Sequence, residues 1–70
     1  MDQPHRDAGT RLYLVRRSSG MSVADLARNL GCTPSLVFAW ESGREFPSPP
    51  ELGALARVLG VALEELSLNR

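Results

Sequence analysis

Gly31 stands between two short runs of apolar residues at helical spacing, and no other feature restricts the possible folds as much. Ahead of it, Ser22 is followed three residues later by Asp25, an approximate capping box in which Asp replaces the usual Glu or Gln. That start opens a helix presenting Leu26, Ala27 and Leu30 inward. Glycine accepts the left-handed backbone conformation at a helix end without a Cβ penalty, so the chain can turn at Gly31 and restart almost at once. Thr33 is then the N-cap of a second helix, with Pro34 at its first helical position. This helix is expected to bury Val37 and Trp40 or Glu41, and to end near Gly43. Two helices joined this tightly cross steeply, which leaves the second prominent on the surface with its N-terminal residues forward.

The rest of the chain extends the helical pattern. Residues 1–7 read as a flexible arm. A first helix over roughly 8–18 points Leu12, Val15 and Ala8 inward. After a loop over 45–47, Ser48-Pro49-Pro50-Glu51 combines an N-cap serine, a proline where its missing N–H costs nothing, and Glu at N3. Leu52, Leu55, Ala56 and Leu59 follow at helical spacing up to Gly60, residues 61–66 add a short fifth helix, and residues 68–70 read as frayed. The expected fold is therefore all-α, a compact four-to-five-helix bundle over residues 8–67, with no strand pattern, repeat or low-complexity tract. A chain of 70 residues buries only about 60% of its unfolded surface, so a partner subunit would help it. It has no apolar run long enough to cross a membrane, and its first nine residues are too polar for a signal peptide, so a cytoplasmic location is expected. A lone cysteine cannot form an internal disulfide, which fits a reducing compartment.

Charge is balanced overall and polarised along the chain. Eight Arg and no Lys face eight acids, but residues 1–44 hold six Arg and four acids, and residues 45–70 two Arg and four acids. The two-helix unit thus lies in the positive part. Cys32 reads as a small core hydrophobe, and His5 has no second ligand candidate nearby except Asp2 and Asp7, so neither metal nor cofactor is expected. Without a catalytic triad, a phosphate loop or room for a pocket, the chain reads as a non-enzyme.

In order and spacing, several pieces together resemble the lambda-repressor and Cro-like, or xenobiotic-response-element type, helix-turn-helix family. They are Leu12 and Arg16, Gly20-Met21-Ser22, Leu26-Ala27, Gly31-Cys32-Thr33-Pro34-Ser35, Trp40-Glu41-Ser42-Gly43-Arg44, Pro47-Ser48, Leu52, Leu55-Ala56, Leu59-Gly60-Val61 and Leu66. The resemblance implies a lambda-repressor-like DNA-binding domain whose helix 33–42 enters the major groove of double-stranded DNA. It implies an ion pair between Arg16 and Glu41 that holds the first helix against the third. Positions matching the base-reading sites are Thr33, Pro34, Ser35, Phe38 and Ala39. For phosphate contact, the helix N-termini offer Ser22, Val23 and Ser48, and the loop offers Arg44, with Arg11, Arg17 and Arg28 as further candidates.

The base-reading set departs from family members that use Gln, Asn, Arg or Lys there. Pro34, Phe38 and Ala39 cannot form a bidentate bond to a base, which leaves apolar contact with thymine methyl groups and a Ser35 hydrogen bond. Phe38 has a second reading, packing beside Trp40 or against Phe46. Two functions stay open: a sequence-specific DNA-binding transcriptional regulator acting as a homodimer, and a protein-interaction module whose apolar recognition helix docks a protein partner. The expected dimer surface is Val58, Leu63 and Leu68, in the acidic half.

Overall fold

The computed structural model describes residues 6–66, which form five α-helices and, among these residues, no strand. They are α1 (Arg6–Ser18), α2 (Val23–Leu30), α3 (Pro34–Ser42), α4 (Pro49–Leu59) and α5 (Leu63–Leu66). Each of the three central helices starts where its cap directs. Ser22 Oγ accepts from Asp25 N at 3.0 Å while Asp25 Oδ2 accepts from Ser22 N at 3.5 Å. Thr33 Oγ1 accepts from Leu36 N at 3.3 Å. Ser48 and Glu51 form a second reciprocal box at 3.3 and 2.8 Å. Gly31 takes φ 74°, and the Cys32 amide then donates to the Ala27 carbonyl at 3.0 Å, closing α2 so that α3 begins three residues later.

Helix α1 packs on α3 and α5, α2 on α3 and α4, and α4 on α5. Their apolar stripes meet in one core of Leu12, Leu26, Ala27, Val37, Trp40, Leu55, Ala56, Leu59 and Leu66. Val15, Leu30, Cys32, Leu52 and Val58 pack around its edge. Burial pushes the Cys32 thiol up from its ordinary value, and the charge of Glu51 adds to the shift, as suits a core filler rather than a reactive thiol.

Two boundaries and the identity of one buried residue differ from what the sequence suggests. Helix α1 begins at Arg6, so Arg6 and Asp7 belong to it rather than to an arm; the remaining arm residues, and the frayed segment 68–70, lie outside the described residues. Its buried small residue is Gly9, whereas Ala8 is only half-buried. The last helix is one turn, Leu63–Leu66, because the backbone between Gly60 and Leu63 is spent on turning the chain back onto α1.

Gly9 shows how closely the first and third helices approach. A Cβ there would lie 2.6 Å from the carbonyl oxygens of both Trp40 and Glu41. The C-terminal turn of α3 therefore rests directly on the α1 backbone, a contact that only a residue without a side chain permits.

Candidate nucleic-acid interface

Packing on both α1 and α2 covers a wide arc of α3. Leu36, Val37, Ala39, Trp40 and Glu41 fall inside that arc, and Pro34, Ser35, Phe38 and Ser42 remain on the outward face. Residues three and four apart share a helix face, so Pro34, Ser35 and Phe38 form one contiguous surface at the N-terminal end of α3. Phe38 is 56% exposed and stands outside the buried core cluster. Ala39 is the correction within the expected base-reading set. At 5% exposure it has no surface to offer a base, and its carbonyl accepts from the Arg44 and Glu45 amides at 3.0 and 3.2 Å. Thr33 is exposed, but its hydroxyl caps α3.

A bidentate ion pair fixes the orientation of this face. Arg16 Nε donates to Glu41 Oε2 at 2.6 Å and Nη2 donates to Oε1 at 3.2 Å, with both side chains 8% exposed. Nη1 donates to the Met21 carbonyl at 2.8 Å, so one guanidinium joins α1, the turn before α2, and α3. The hydrogen bonding to Glu41 raises the Arg16 pKa most, against the opposing effect of burial. Sequence reasoning identified the pair but not the Met21 contact, because a backbone carbonyl leaves no mark in residue type.

The expected phosphate contacts fall into distinct environments. Ser22 and Ser48 are exposed at the starts of α2 and α4, with their hydroxyls engaged as caps. Val23 turns its side chain toward the core, leaving its amide at the first turn of α2. Arg44 is exposed after α3, and its Nε donates to Ser42 Oγ at 3.4 Å. Arg28 pairs with Asp25 at 2.6 Å while remaining 72% exposed. The Ser22 hydroxyl and amide, more than Arg28, lower the Asp25 pKa. Arg17 Nη1 donates to the Tyr13 hydroxyl at 2.7 Å, and its guanidinium lies 5.6 Å from the Tyr13 ring centroid. Tyr13, with Arg16 also near its ring at 5.5 Å, went unnoticed in the sequence, although its spacing of four from Arg17 on a helix was the available signal.

Arg11 is exposed on α1. It borders a groove between α1 and α5 with Leu14, Val15, Val61 and Glu65, and no residue of α2 or α3 lines that groove. Of the expected dimer surface, Val58 packs at the core edge, Leu63 is 46% exposed, and Leu68 lies outside the described residues. Among the described residues no cluster of His, Cys, Asp or Glu has the make-up of a metal site, and no buried side-chain nitrogen or oxygen lacks a partner. No helix among them is long and apolar enough to cross a membrane.

The profile of helix-turn-helix domains matches residues 7–68, and the chain belongs to that family. Its resemblance to lambda-repressor and Cro-like regulators holds in three dimensions. The restriction-modification controller protein C.AhdI from Aeromonas hydrophila superposes with a TM-score of 0.80 at 32% identity, covering 86% of this chain and 91% of that one. The biofilm regulator SinR, solved in complex with DNA, gives 0.78 at 28% identity, covering 84% and 95%. Hydroxypropylphosphonic acid epoxidase from S. wedmorenis gives 0.85 at 32% identity, but the match covers 97% of this chain and only 36% of that one. In sequence, human endothelial differentiation-related factor 1 is 28% identical over 69 residues, 99% of this chain and 47% of its own length. Multiprotein-bridging factor 1 of Candida glabrata is 35% identical over 57 residues, 81% of this chain and 38% of its own length. The chain thus spans about half the length, or less, of the curated relatives it matches.

Proposed function

We propose that this chain is a non-enzymatic, sequence-specific DNA-binding transcriptional regulator that places α3 in the major groove and acts as a homodimer in the cytoplasm. One observation carries the proposal: α3 is clamped from behind by Arg16–Glu41 and the Gly9 contact, while Pro34, Ser35 and Phe38 face outward. This is the arrangement of a rigid probe. The likeness to SinR, solved with DNA, and to C.AhdI, a controller protein, supports the same reading. The first-turn amides of α2 and α4, beside Ser22, Val23 and Ser48, and the Arg44 guanidinium would anchor phosphates on either side of the groove. Arg17 and Arg28 would contribute once turned from Tyr13 and Asp25, and Arg11 drops out of the set because of its position beside α5. The dimer would form through the α4–α5 side, with Leu63 at its centre and no added cofactor.

A selection of random duplexes by the purified protein, at low and at physiological salt, tests this. An inverted repeat with half-sites about one helical turn apart is the expected product. Failure to enrich any duplex would overturn the reading. It would favour a protein-docking role, which the zero net charge and the likeness to a multiprotein-bridging factor support.

A further inference from the structure

The outward face of α3 is almost devoid of hydrogen-bonding capacity, and this narrows what it can read. Glu41 is held by Arg16, the Thr33 hydroxyl caps α3, and the Ser42 hydroxyl donates to the Ala39 carbonyl at 3.1 Å. The face carries no amide, guanidinium or ammonium group, and its first turn has no acid. Ser35 has the one hydroxyl on this surface without an intramolecular partner, and the largest exposed area belongs to the Phe38 ring. Base discrimination by hydrogen bonds relies on bidentate partners such as Arg, Asn or Gln, which are lacking here. An apolar ring gains instead from the apolar feature of the major-groove edge, a methyl group at C5 of a pyrimidine. Thymine presents that methyl, and 5-methylcytosine presents it at the same ring position.

Resting on the DNA-binding reading above, we propose that α3 recognises C5-methylated pyrimidines in duplex DNA, with Phe38 as the specificity-determining residue and Ser35 supplying the accompanying hydrogen bond. Phe38 is solvated in the free protein, so covering it against a methyl group removes apolar area from both partners. Burying one methyl is worth about fourfold in affinity. The face therefore distinguishes thymine from uracil, which forms the same base pair and lacks only the methyl.

The experiment uses the whole chain and a duplex enriched by the selection described above. Each thymine in the site is replaced in turn by deoxyuridine, and affinity is measured by fluorescence anisotropy for the unmutated protein and for Phe38→Ala. One replacement should weaken the unmutated protein about fourfold and change the Phe38→Ala protein little. At that same position, 5-methylcytosine should bind about fourfold tighter than cytosine if both methyl sources are read, and equally if thymine alone is. Phe38→Leu, which keeps an apolar tip, should retain part of the discrimination, and unchanged thermal melting of both variants would confirm intact folding. Enriched duplexes that bind as well with every thymine replaced would overturn methyl recognition while leaving DNA binding standing, as would equal losses in the Phe38→Ala protein. If no duplex is enriched, the DNA-binding reading fails and methyl recognition with it.

Discussion

At the scale of single residues, two charged groups work in opposite surroundings. Arg16 and Glu41 are withdrawn from water, with both ends of the guanidinium fork satisfied, so removing either partner strands the other. A double-mutant cycle with Arg16→Met and Glu41→Gln, read by urea denaturation, should give a coupling above about 1 kcal/mol, and additive losses would contradict the clamp. Asp25 is solvent-facing and acts by capping. Because Ser22 lowers its pKa from the ordinary 3.8, the capped carboxylate contributes its full stabilisation above that value. The contribution is lost as pH falls through the lower folded-state value. Urea midpoints should therefore drop in the acid range beneath about pH 4, and Asp25→Asn should flatten that portion of the profile. A profile unaltered by the substitution would remove the cap from the account.

Elements are joined through helix backbones as well as side chains. Two glycines sit inside helices, where each costs about 1 kcal/mol relative to alanine, yet their surroundings predict opposite responses. At Gly53, in α4, an added Cβ meets nothing within 4 Å, so Gly53→Ala should stabilise by about 0.5–1 kcal/mol. At Gly9 the added carbon would lie 2.6 Å from two carbonyl oxygens of α3. Backbone atoms cannot swing aside as a long side chain does, and Gly9→Ala should destabilise by about 1–3 kcal/mol or more, net of its helix-propensity gain. Thermal melts of both variants decide the matter, since 1 kcal/mol moves the midpoint of a domain this size by about 4–8 °C. Equal shifts would mean that α1 and α3 are farther apart than described. Separation of these helices would also tilt the Phe38 face, so the same variant should lose DNA affinity in step with stability.

For the whole molecule, the net charge of zero does not describe the field at the proposed interface. Arg17, Arg28 and Arg44 are exposed on α1, α2 and the loop after α3, while Glu64 and Glu65 are exposed on α5. On the DNA-binding reading proposed above, exposed arginines on these elements would draw phosphate toward α2 and α3, and the acidic α5 would be left for a second subunit. Arg44→Ala should weaken binding to all duplexes alike and reduce the salt slope by about one, and a change in the preferred sequence would instead make Arg44 a base reader. Sedimentation of the free chain and of the chain on a two-half-site duplex should show two copies on the duplex. A strict monomer in both would remove the dimer from the proposal.

Which features were legible in the sequence follows from the range of the forces involved. Helices α2, α3 and α4, their three serine or threonine caps and the stop at Gly31 are set by residues within one turn of each other, so the order of Ser22, Asp25, Gly31, Thr33, Ser48 and Glu51 was sufficient to specify them. The apolar stripes are local as well, and they predicted most of the core. The Arg16–Glu41 pair, 25 residues apart, was legible only through the family resemblance. Nothing local marks Gly9 as a contact point, because the oxygens that forbid its side chain belong to a helix about thirty residues further on. Nor does anything local bury Ala39, whose position on the α3 wheel borders the outward face until α1 and α2 close on either side. Helical period, capping and chain reversal were thus determined by the sequence alone. How wide a face α3 keeps for a partner was decided by tertiary packing, because burial depends on which neighbouring helices occupy the space around it.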